Sequence, residues 1–258
     1  MKIQAASAVA PVSPHRRSME LIAQGLADDV FGKIHMDQVQ ICPQHAGYIG
    51  DDLVEHLIKT YPQTEFRLHA SPKLKGQTRK IVHVSNASEN MDYFRRADEI
   101  NVRFGAKGYS IHAGKRSECD LTGMLEQLDM IQENSDTPVA VEGLYPTKKD
   151  LWLMATWGEY ETVAERGYSY ALDLSHLNIV AEVEGRNDSL VRDLLSSTQC
   201  MEVHVSANDG RADSHRPMEA QALPWWMDLL DHANPEAITF YEGVLVDPAE
   251  RRKKTIRR

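Results

Sequence analysis

Short apolar segments alternate with longer segments of helical periodicity along most of this sequence, and this order constrains the fold more than any other feature. The alternation occurs about eight times. Parallel strands need helical crossovers of this kind, because a tight hairpin can join only antiparallel strands. The predicted strands lie within residues 1–13, Gln38–Pro43, Phe66–Ala70, Tyr109–Ala113, Val139–Gly143, Tyr170–His176, Glu202–Val205 and Ala237–Gly243.

Apolar residues at helical spacing predict the connections between these strands. The expected helices are Ser18–Phe31, residues 51–61, a segment from about Ser88, residues 121–133, two pieces within Lys149–Arg166, Ser189–Ser196 and Trp225–His232. The long connection after the third strand could also hold a short strand at Ile81–Val84.

Eight strand–helix units in 258 residues fit a closed (β/α)8 TIM barrel. We therefore predict an α/β fold with one domain over residues 1–258 and a basic tail at residues 250–258. An open doubly wound sheet is the alternative. It would normally carry a glycine-rich turn after its first strand, and neither GxGxxG nor GxxxxGKS/T occurs here.

The composition indicates a folded protein without a broad basic surface. Apolar residues make up 42% of the chain and charged residues 26%, which is ordinary for a globular protein. The net charge of −9 does not favour a nucleic-acid backbone as partner. A local basic cleft is still compatible with this charge. Lys73–Lys80 is the best candidate for a phosphate-contacting patch, and an exposed basic loop is the simpler interpretation.

Cysteine usage and hydropathy bear on the compartment. Cys42, Cys119 and Cys200 lie far apart and form no CxxC, which argues against a disulfide framework and against a structural zinc knot. No apolar run reaches the length of a membrane span, and the first residues lack the order of a signal peptide. We expect a cytoplasmic protein with no membrane partner.

Titratable side chains interrupt or close six consecutive predicted strands. The C-terminal ends of barrel strands face one cavity, so these side chains are expected to converge. So many carboxylates and imidazoles together would be unfavourable without cations to neutralise them. We predict a site for two or three divalent metal ions, with the ligands His69, His112, Glu142, Asp173, His176, His204, Asp213, His215 and Glu242.

The segment Met201–Met218 is the densest part of this set. It places His204, Asp213 and His215 within twelve residues. A solvated turn at Asn208–Gly210 is the competing interpretation of this loop. The polar ends of the other strands favour metal binding.

The segments YSIHAG, VAVEGLYP, YALDLSHLNIVA, VHVSANDGRADSHRP and FYEG lie between about Phe66 and Gly243. Together they resemble the xylose isomerase-like TIM-barrel superfamily, which includes sugar-phosphate isomerases and epimerases and DNA-repair enzymes of the endonuclease IV type. The most specific motifs are D-x-x-H at Asp173 and His176, and H-x-x-x-N-D-G-x-x-D-x-H from His204 to His215.

The resemblance implies ligands for up to three ions. A central site would consist of Glu142, Asp173, His204 and Glu242. A second ion would be bound by His69 and His112 and bridged by Glu142, and a third would be bound by His176, Asp213 and His215. Zinc, manganese and iron suit these ligand types comparably well. Glu142, Glu242 and His176 are the candidate catalytic residues.

Three positions depart from the pattern of related sugar isomerases. Ala207 stands where Asp is frequent, Glu219–Gln221 replaces a G-E-G turn, and Gly143 stands where Asn is usual. These changes fall near the expected substrate side of the barrel and spare the proposed ligands. The resemblance therefore implies an unusual substrate.

Several functions fit these features. The leading prediction is an isomerase or epimerase acting on a sugar, a sugar phosphate or another small hydroxy-carbonyl compound, in which paired Glu residues exchange a proton. A phosphodiester hydrolase of the endonuclease IV type is the second, although no basic and aromatic run is present to follow a DNA strand. A multinuclear iron oxidase that modifies a peptide is the third. The intact ligand set argues against an inactive binding module.

Two further features, a loop histidine and a tryptophan pair, each have a functional and a simpler structural interpretation. His45 could line the cavity, and an exposed loop histidine is the simpler interpretation. Trp225 and Trp226 could form a wall over the pocket, but packing of that segment on the barrel is favoured.

Overall fold

The predicted strands close into a barrel in a computed structural model of the chain, which describes residues 1–11, 14–44, 47–77 and 81–246. Within those residues the barrel strands are β1 (Ile3–Ala6), β3 (Gly32–Ile41), β4 (Glu65–Leu68), β5 (Tyr109–His112), β6 (Val139–Glu142), β7 (Tyr170–Asp173), β8 (Cys200–Val205) and β9 (Ile238–Tyr241). Neighbours pair in parallel and β9 pairs with β1. A bridge between His69 and Ser110 joins β4 to β5 and closes the ring.

Helices connect these strands, as the alternation predicts. In the described part of the chain they are α1 (His15–Ala23), α2 (Asp51–Thr60), α3 (Met91–Phe104), α4 (Leu121–Glu133), α5 (Trp157–Glu165), α6 (Leu174–Glu184) and α7 (Asp188–Ser196). Short 3-10 helices cover Ser7–Val9, Val84–Glu89 and Trp225–His232. The fold is therefore the predicted (β/α)8 barrel.

The burial of the strands explains why polar residues at their ends indicate a functional site. Every residue of β6 and β7 is buried, as expected for parallel strands that are covered on both faces. These strands are apolar until their last residues, Glu142 and Asp173. A charged side chain at such a position has no role in an apolar core, so it points to a site at the C-terminal end of the barrel.

Short polar side chains fix where several helices begin. The Asp120 side chain accepts a hydrogen bond from Gly123 N at the start of α4, and Thr156 accepts one from Glu159 N at the start of α5. Asp173 does the same for α6 by accepting from Ser175 N and His176 N. A residue at the end of β7 thus also starts the helix that follows.

The prediction of one helix over Ser18–Phe31 was wrong. Helix α1 ends at Ala23, and Gly25 follows with a φ of 90°, a left-handed conformation that a glycine adopts without strain. The chain then forms β2 (Leu26–Asp28), which pairs antiparallel with the start of β3. Strand β3 accordingly begins at Gly32 and not near Gln38.

Other differences are local. Ile81–Val84 forms no strand, Lys149–Arg166 contains one helix and not two, and residues 225–232 form a 3-10 helix. Strand β7 ends at Asp173, so His176 belongs to α6, a helix that the sequence pattern did not predict. No helix in the described residues is long and apolar enough to cross a membrane.

Candidate metal centre

All nine predicted ligands lie together at the C-terminal end of the barrel. His112, Glu142 and Asp173 are the last residues of their strands, while His69 and Glu242 directly follow theirs. Eight of the nine line a cavity of about 80 Å³ together with Pro43 and Gln44. The ninth, His204, is fully buried against the same cluster.

Glu142 lies at the centre of the cluster, with imidazoles facing both carboxylate oxygens. Its Oε2 is 3.1 Å from His204 Nδ1 and 3.5 Å from His69 Nδ1. Its Oε1 is 3.4 Å from His112 Nε2 and 3.8 Å from His176 Nδ1. Such a carboxylate is placed to be shared between two positive charges.

Three buried polar atoms in the cluster have no hydrogen-bond partner among the described residues. They are Glu142 Oε2, His204 Nδ1 and Glu242 Oε1. His204 Nδ1 is 3.1 Å from the first oxygen and 4.0 Å from the second, without acceptable hydrogen-bond geometry to either. Leaving such groups unpaired costs roughly 1–3 kcal/mol each. A divalent cation would satisfy all three, so the residues fit a metal site.

The donor atoms also form groups of the right size for single ions. Ligand atoms within 4.8 Å of one another are offered by His69, Glu142 and His204, by Glu142, Asp173 and His176, and by Asp173, His204 and Glu242. Imidazole and carboxylate ligands suit zinc, manganese and iron.

Helix α6 places His176 by two contacts. Asp173 caps the helix and fixes its first turn, and His176 Nδ1 lies 2.9 Å from the carbonyl oxygen of Gly143. Because a carbonyl oxygen only accepts, Nδ1 must donate and Nε2 faces the acids. Nε2 is 3.3 Å from Asp173 Oδ2 and 3.5 Å from Asp213 Oδ2.

The loop after β8 brings Asp213 and His215 to the same place. Asp213 Oδ2 is 2.8 Å from His215 Nε2, and His215 adopts a left-handed φ of 45°. Asn208 anchors the loop to α6, since its amide donates to Ser175 O at 2.6 Å and its oxygen accepts from Asn178 at 2.9 Å. The N-D-G segment is therefore a turn, and it also positions two of the predicted ligands.

Charge in the cluster shifts several pKa values. Burial opposes charge on His176, but Asp173 and Asp213 raise its pKa to about 10. Burial likewise opposes charge on His215, but Asp213 and Glu242 raise its pKa to about 10. Burial raises the pKa of Glu242 to about 7, although His204 and His215 oppose the shift. For Glu142, the imidazoles of His69 and His204 outweigh burial and hold the pKa well below its usual range.

Residue 143 is a glycine where related sugar isomerases usually have asparagine, and the space around it explains why a side chain does not fit. A Cβ atom built there would lie 2.3 Å from the Tyr160 ring, whose hydroxyl donates to Leu144 O at 2.9 Å. Asparagine cannot fit beside this tyrosine, so the side chain usual in related isomerases is absent from the cavity.

Sequence reasoning missed several side chains beside the ligands. The ring centroid of Tyr145 lies 4.8 Å from that of His176. The ring centroid of buried His83 lies 6.4 Å from that of His112 and 5.9 Å from that of Trp152. Glu202, two residues before His204 on β8, is fully buried. Its period-two spacing from His204 was the available signal, because such residues share one face of a strand.

The secondary candidates have mixed outcomes. Trp226 is fully buried in the core and Trp225 lies against Arg186, which agrees with packing of that segment on the protein. Lys73 and Lys75 lie on a segment that pairs with Ile49. His45, residues 78–80 of the basic loop and the tail at 250–258 lie outside the described residues.

Comparison with known proteins gives structural matches only. No protein-family model and no curated protein matches the chain. A D-tagatose 3-epimerase-like protein is similar over 100% of this chain and 96% of its own, with 16% identity and a TM-score of 0.70. An AP endonuclease, family 2, from Brucella melitensis is similar over 97% and 96%, with 13% identity and a TM-score of 0.66.

Endonuclease IV from Thermus thermophilus is also similar, over 99% of this chain and 96% of its own, with 15% identity and a TM-score of 0.54. At such identities the likeness establishes the fold and not the reaction. The resemblance seen in the motifs is confirmed at that level: the chain has the fold of the xylose isomerase-like TIM-barrel superfamily.

Proposed function

We propose that this protein is a multinuclear divalent-metal enzyme that hydrolyses a phosphate ester of a small molecule. One observation carries the proposal: imidazoles face every oxygen of Glu142 and Glu242 in one buried cluster. Glu242 Oε1 lies 3.8 Å from His69 Nε2, and its Oε2 lies 3.7 Å from His215 Nδ1. The corresponding distances for Glu142 are 3.1–3.8 Å.

The ligand roles follow the sets that the resemblance implies. Glu142, Asp173, His204 and Glu242 would hold a central ion, His69 and His112 a second with Glu142 as bridge, and His176, Asp213 and His215 a third. When bound, divalent ions supply Lewis acidity and a water of lowered pKa. The chain itself would orient the ligands, through the Asp173 cap on α6 and the Gly143 carbonyl on His176.

Hydrolysis fits this arrangement better than isomerisation. An isomerase needs a carboxylate oxygen that is free to take a proton from carbon. A carboxylate that binds a cation is a weak base, and both candidate bases would be ligands here, Glu142 of two ions and Glu242 of the central one. The leading sequence-based prediction, an isomerase or epimerase, thus becomes the second candidate.

The size of the cavity and the net charge of the chain support a small substrate. The cavity between the ligands is about 80 Å³, so beside the proposed ions only the reacting group of a substrate would enter it. The chain carries a net charge of −9, which does not favour a long polyanion. Two of the similar structures are named as endonucleases, but a nucleic-acid substrate is not part of this proposal.

An epimerase is favoured by one specific observation. Burial holds the pKa of Glu242 at about 7, where a carboxyl group can both give and take a proton near neutral pH. Glu142 and Glu242 would then act as a pair on either side of a hydroxy-carbonyl carbon. This mechanism requires a site with one ion and at least one unshared carboxylate.

Elemental analysis of protein purified without chelator or tag-bound metal separates these functions. We expect two or three zinc or manganese ions per chain and turnover of bis(p-nitrophenyl) phosphate or p-nitrophenyl phosphate. A single ion with turnover of D-tagatose and none of the phosphate esters would replace hydrolysis by epimerisation. Two or three iron ions with oxygen consumption would point to the peptide oxidase. A metal-free, inactive protein would refute the proposal.

A further inference from the structure

A buried ion pair lies inside the barrel beneath the candidate metal centre. Arg67 on β4 and Glu202 on β8 are each about 1% exposed at the side chain, and Arg67 Nη1 donates to Glu202 Oε1 at 2.8 Å. Arg67 also reaches Gln38 at 2.7 Å and Glu65 at 2.8 Å. A charge pair in a barrel interior is costly to desolvate, so stability alone does not explain its presence.

The second oxygen of Glu202 faces the ligand His204. Glu202 Oε2 lies 3.3 Å from His204 Nε2 and accepts from Gln40 Nε2 at 2.6 Å. Gln40 Nε2 also lies 3.0 Å from His204 Nε2 and 3.4 Å from Ser110 Oγ. When the two hydrogens of this amide go to Glu202 and Ser110, the Nε2–H of His204 is directed to the Glu202 carboxylate.

This contact determines which ring nitrogen can bind a metal. With the proton of His204 on Nε2, the lone pair lies on Nδ1. That atom faces Glu142 Oε2 at 3.1 Å and has no hydrogen-bond partner among the described residues. A carboxylate behind a ligating histidine fixes the ring and makes it a stronger ligand.

We propose that Glu202 is a positioning residue for His204, and that Arg67 keeps Glu202 in place as a carboxylate. The proposal rests on the metal-dependent function proposed above. It assigns the Arg67–Glu202 pair to the metal centre and not to the barrel core, although neither side chain lines the cavity.

Cobalt(II) titration of the metal-free protein tests this proposal, with dissociation constant and visible spectrum as readouts. In Glu202→Gln the dissociation constant should rise about 10- to 100-fold, and the d–d bands should shift because the His204 ligand is weaker. Glu65→Gln is the matched control. It removes a carboxylate that also contacts Arg67, at 2.8 Å, but lies at the opposite end of β4 from the ligand His69. It should keep the wild-type affinity and spectrum.

Glu202→Gln leaves the Arg67 cation without its buried partner, so the protein could fail to fold. The double variant R67Q/E202Q removes both charges and should fold, with the same loss of cobalt affinity. A folded E202Q or R67Q/E202Q protein with wild-type affinity and spectrum would overturn the positioning role. The role would also be overturned if Glu65→Gln lost as much cobalt affinity as Glu202→Gln. The loss would then come from disturbing Arg67 and not from removing the carboxylate behind His204.

Wild-type protein that binds no cobalt would remove the proposed function itself. If the wild type binds cobalt and the Glu202 variants bind it equally well, only the positioning role of Glu202 is refuted. The two failures are therefore distinguishable in one titration series.

Discussion

Individual hydrogen bonds decide which nitrogen of each imidazole faces the ligand cluster. His176 Nδ1 donates to the carbonyl of Gly143, so its Nε2 is directed toward Asp173 and Asp213. His215 is arranged alike, with Nδ1 3.3 Å from the carbonyl oxygen of Glu242 and Nε2 on Asp213. In the proposed metal centre, the backbone thus determines which nitrogen of each ring would face an ion.

Glu142 is the residue whose change should have the largest effect. In Glu142→Gln a neutral amide replaces the carboxylate that four imidazoles face, so at least two ions should be lost. Activity should fall by more than the roughly 100-fold typical of changes outside the ligands. Metal analysis and far-UV circular dichroism would check this, with exposed Glu126→Gln as control. A folded, metal-replete and fully active variant would contradict the site assignment.

Metal binding should release protons because His176 and His215 have raised pKa values. Both are about 10 in the metal-free cluster, so both rings are charged at pH 7 and must lose a proton to bind an ion. Affinity should therefore increase as pH rises from 6 to 9, by about tenfold per unit for each proton displaced. Calorimetric titration in two buffers of different ionisation enthalpy measures the protons. An apparent enthalpy that is the same in both buffers would argue against this.

Gly143→Ala tests the close approach of the β6 end to Tyr160. The new Cβ would lie 2.3 Å from the ring, so the backbone that holds His176 must shift. We expect a loss of roughly 1–3 kcal/mol in unfolding free energy. Gly158→Ala in α5 is the control, since no atom lies within 4 Å of the position that its methyl group would take, and helix propensity predicts a gain of about 0.5–1 kcal/mol. Equal stability of the two variants in urea would contradict the steric explanation.

At the scale of elements, the predicted ligands are placed by the ends of six strands, by the first turn of α6 and by one loop. Strands β4 to β9 supply a rigid ring of side chains at their C-terminal ends. The loop after β8 supplies Asp213 and His215 and is tied at both sides, by the Ala207–Arg216 bridge and by Asn208 on α6. Met218 N then donates to Asp28 at 3.1 Å, which joins the loop to the β2–β3 hairpin.

Asn208→Ala should detach this loop from α6. The variant loses the hydrogen bonds to Ser175, Asn178 and Gly210, at a cost of about 1–3 kcal/mol. One ion per chain should be lost while the central ligands keep theirs. Metal analysis and thermal unfolding provide the readout, with exposed Asn134→Ala as control because it removes a side-chain bond to Met130 O far from the ligands. Full occupancy in Asn208→Ala would show that the loop needs no such anchor.

At the scale of the whole molecule, the sequence predicts the barrel and the cluster for one reason. Apolar strands must be covered on both faces, so a polar residue at a strand end is conspicuous, as at Glu142 and Asp173. Helix α6 was not predictable in the same way, because it begins at Leu174 with no turn residue to separate it from β7. The pairing of Arg67 with Glu202 across the barrel depends on closure, which a linear pattern does not contain.

Removal of metal tests the whole arrangement, because cations would neutralise acids that the barrel brings together from many strands. A chelator should lower the melting temperature of the wild type. If the ions are present at about 1,000 times their dissociation constant, they stabilise by about 4 kcal/mol. For a chain of this size that corresponds to a shift on the order of 10 °C. Glu142→Gln should show a much smaller shift with chelator than the wild type, since it has already lost at least two ions. If elemental analysis shows that the chelator strips the wild type and the melting temperature stays unchanged, the cations do not hold the cluster together.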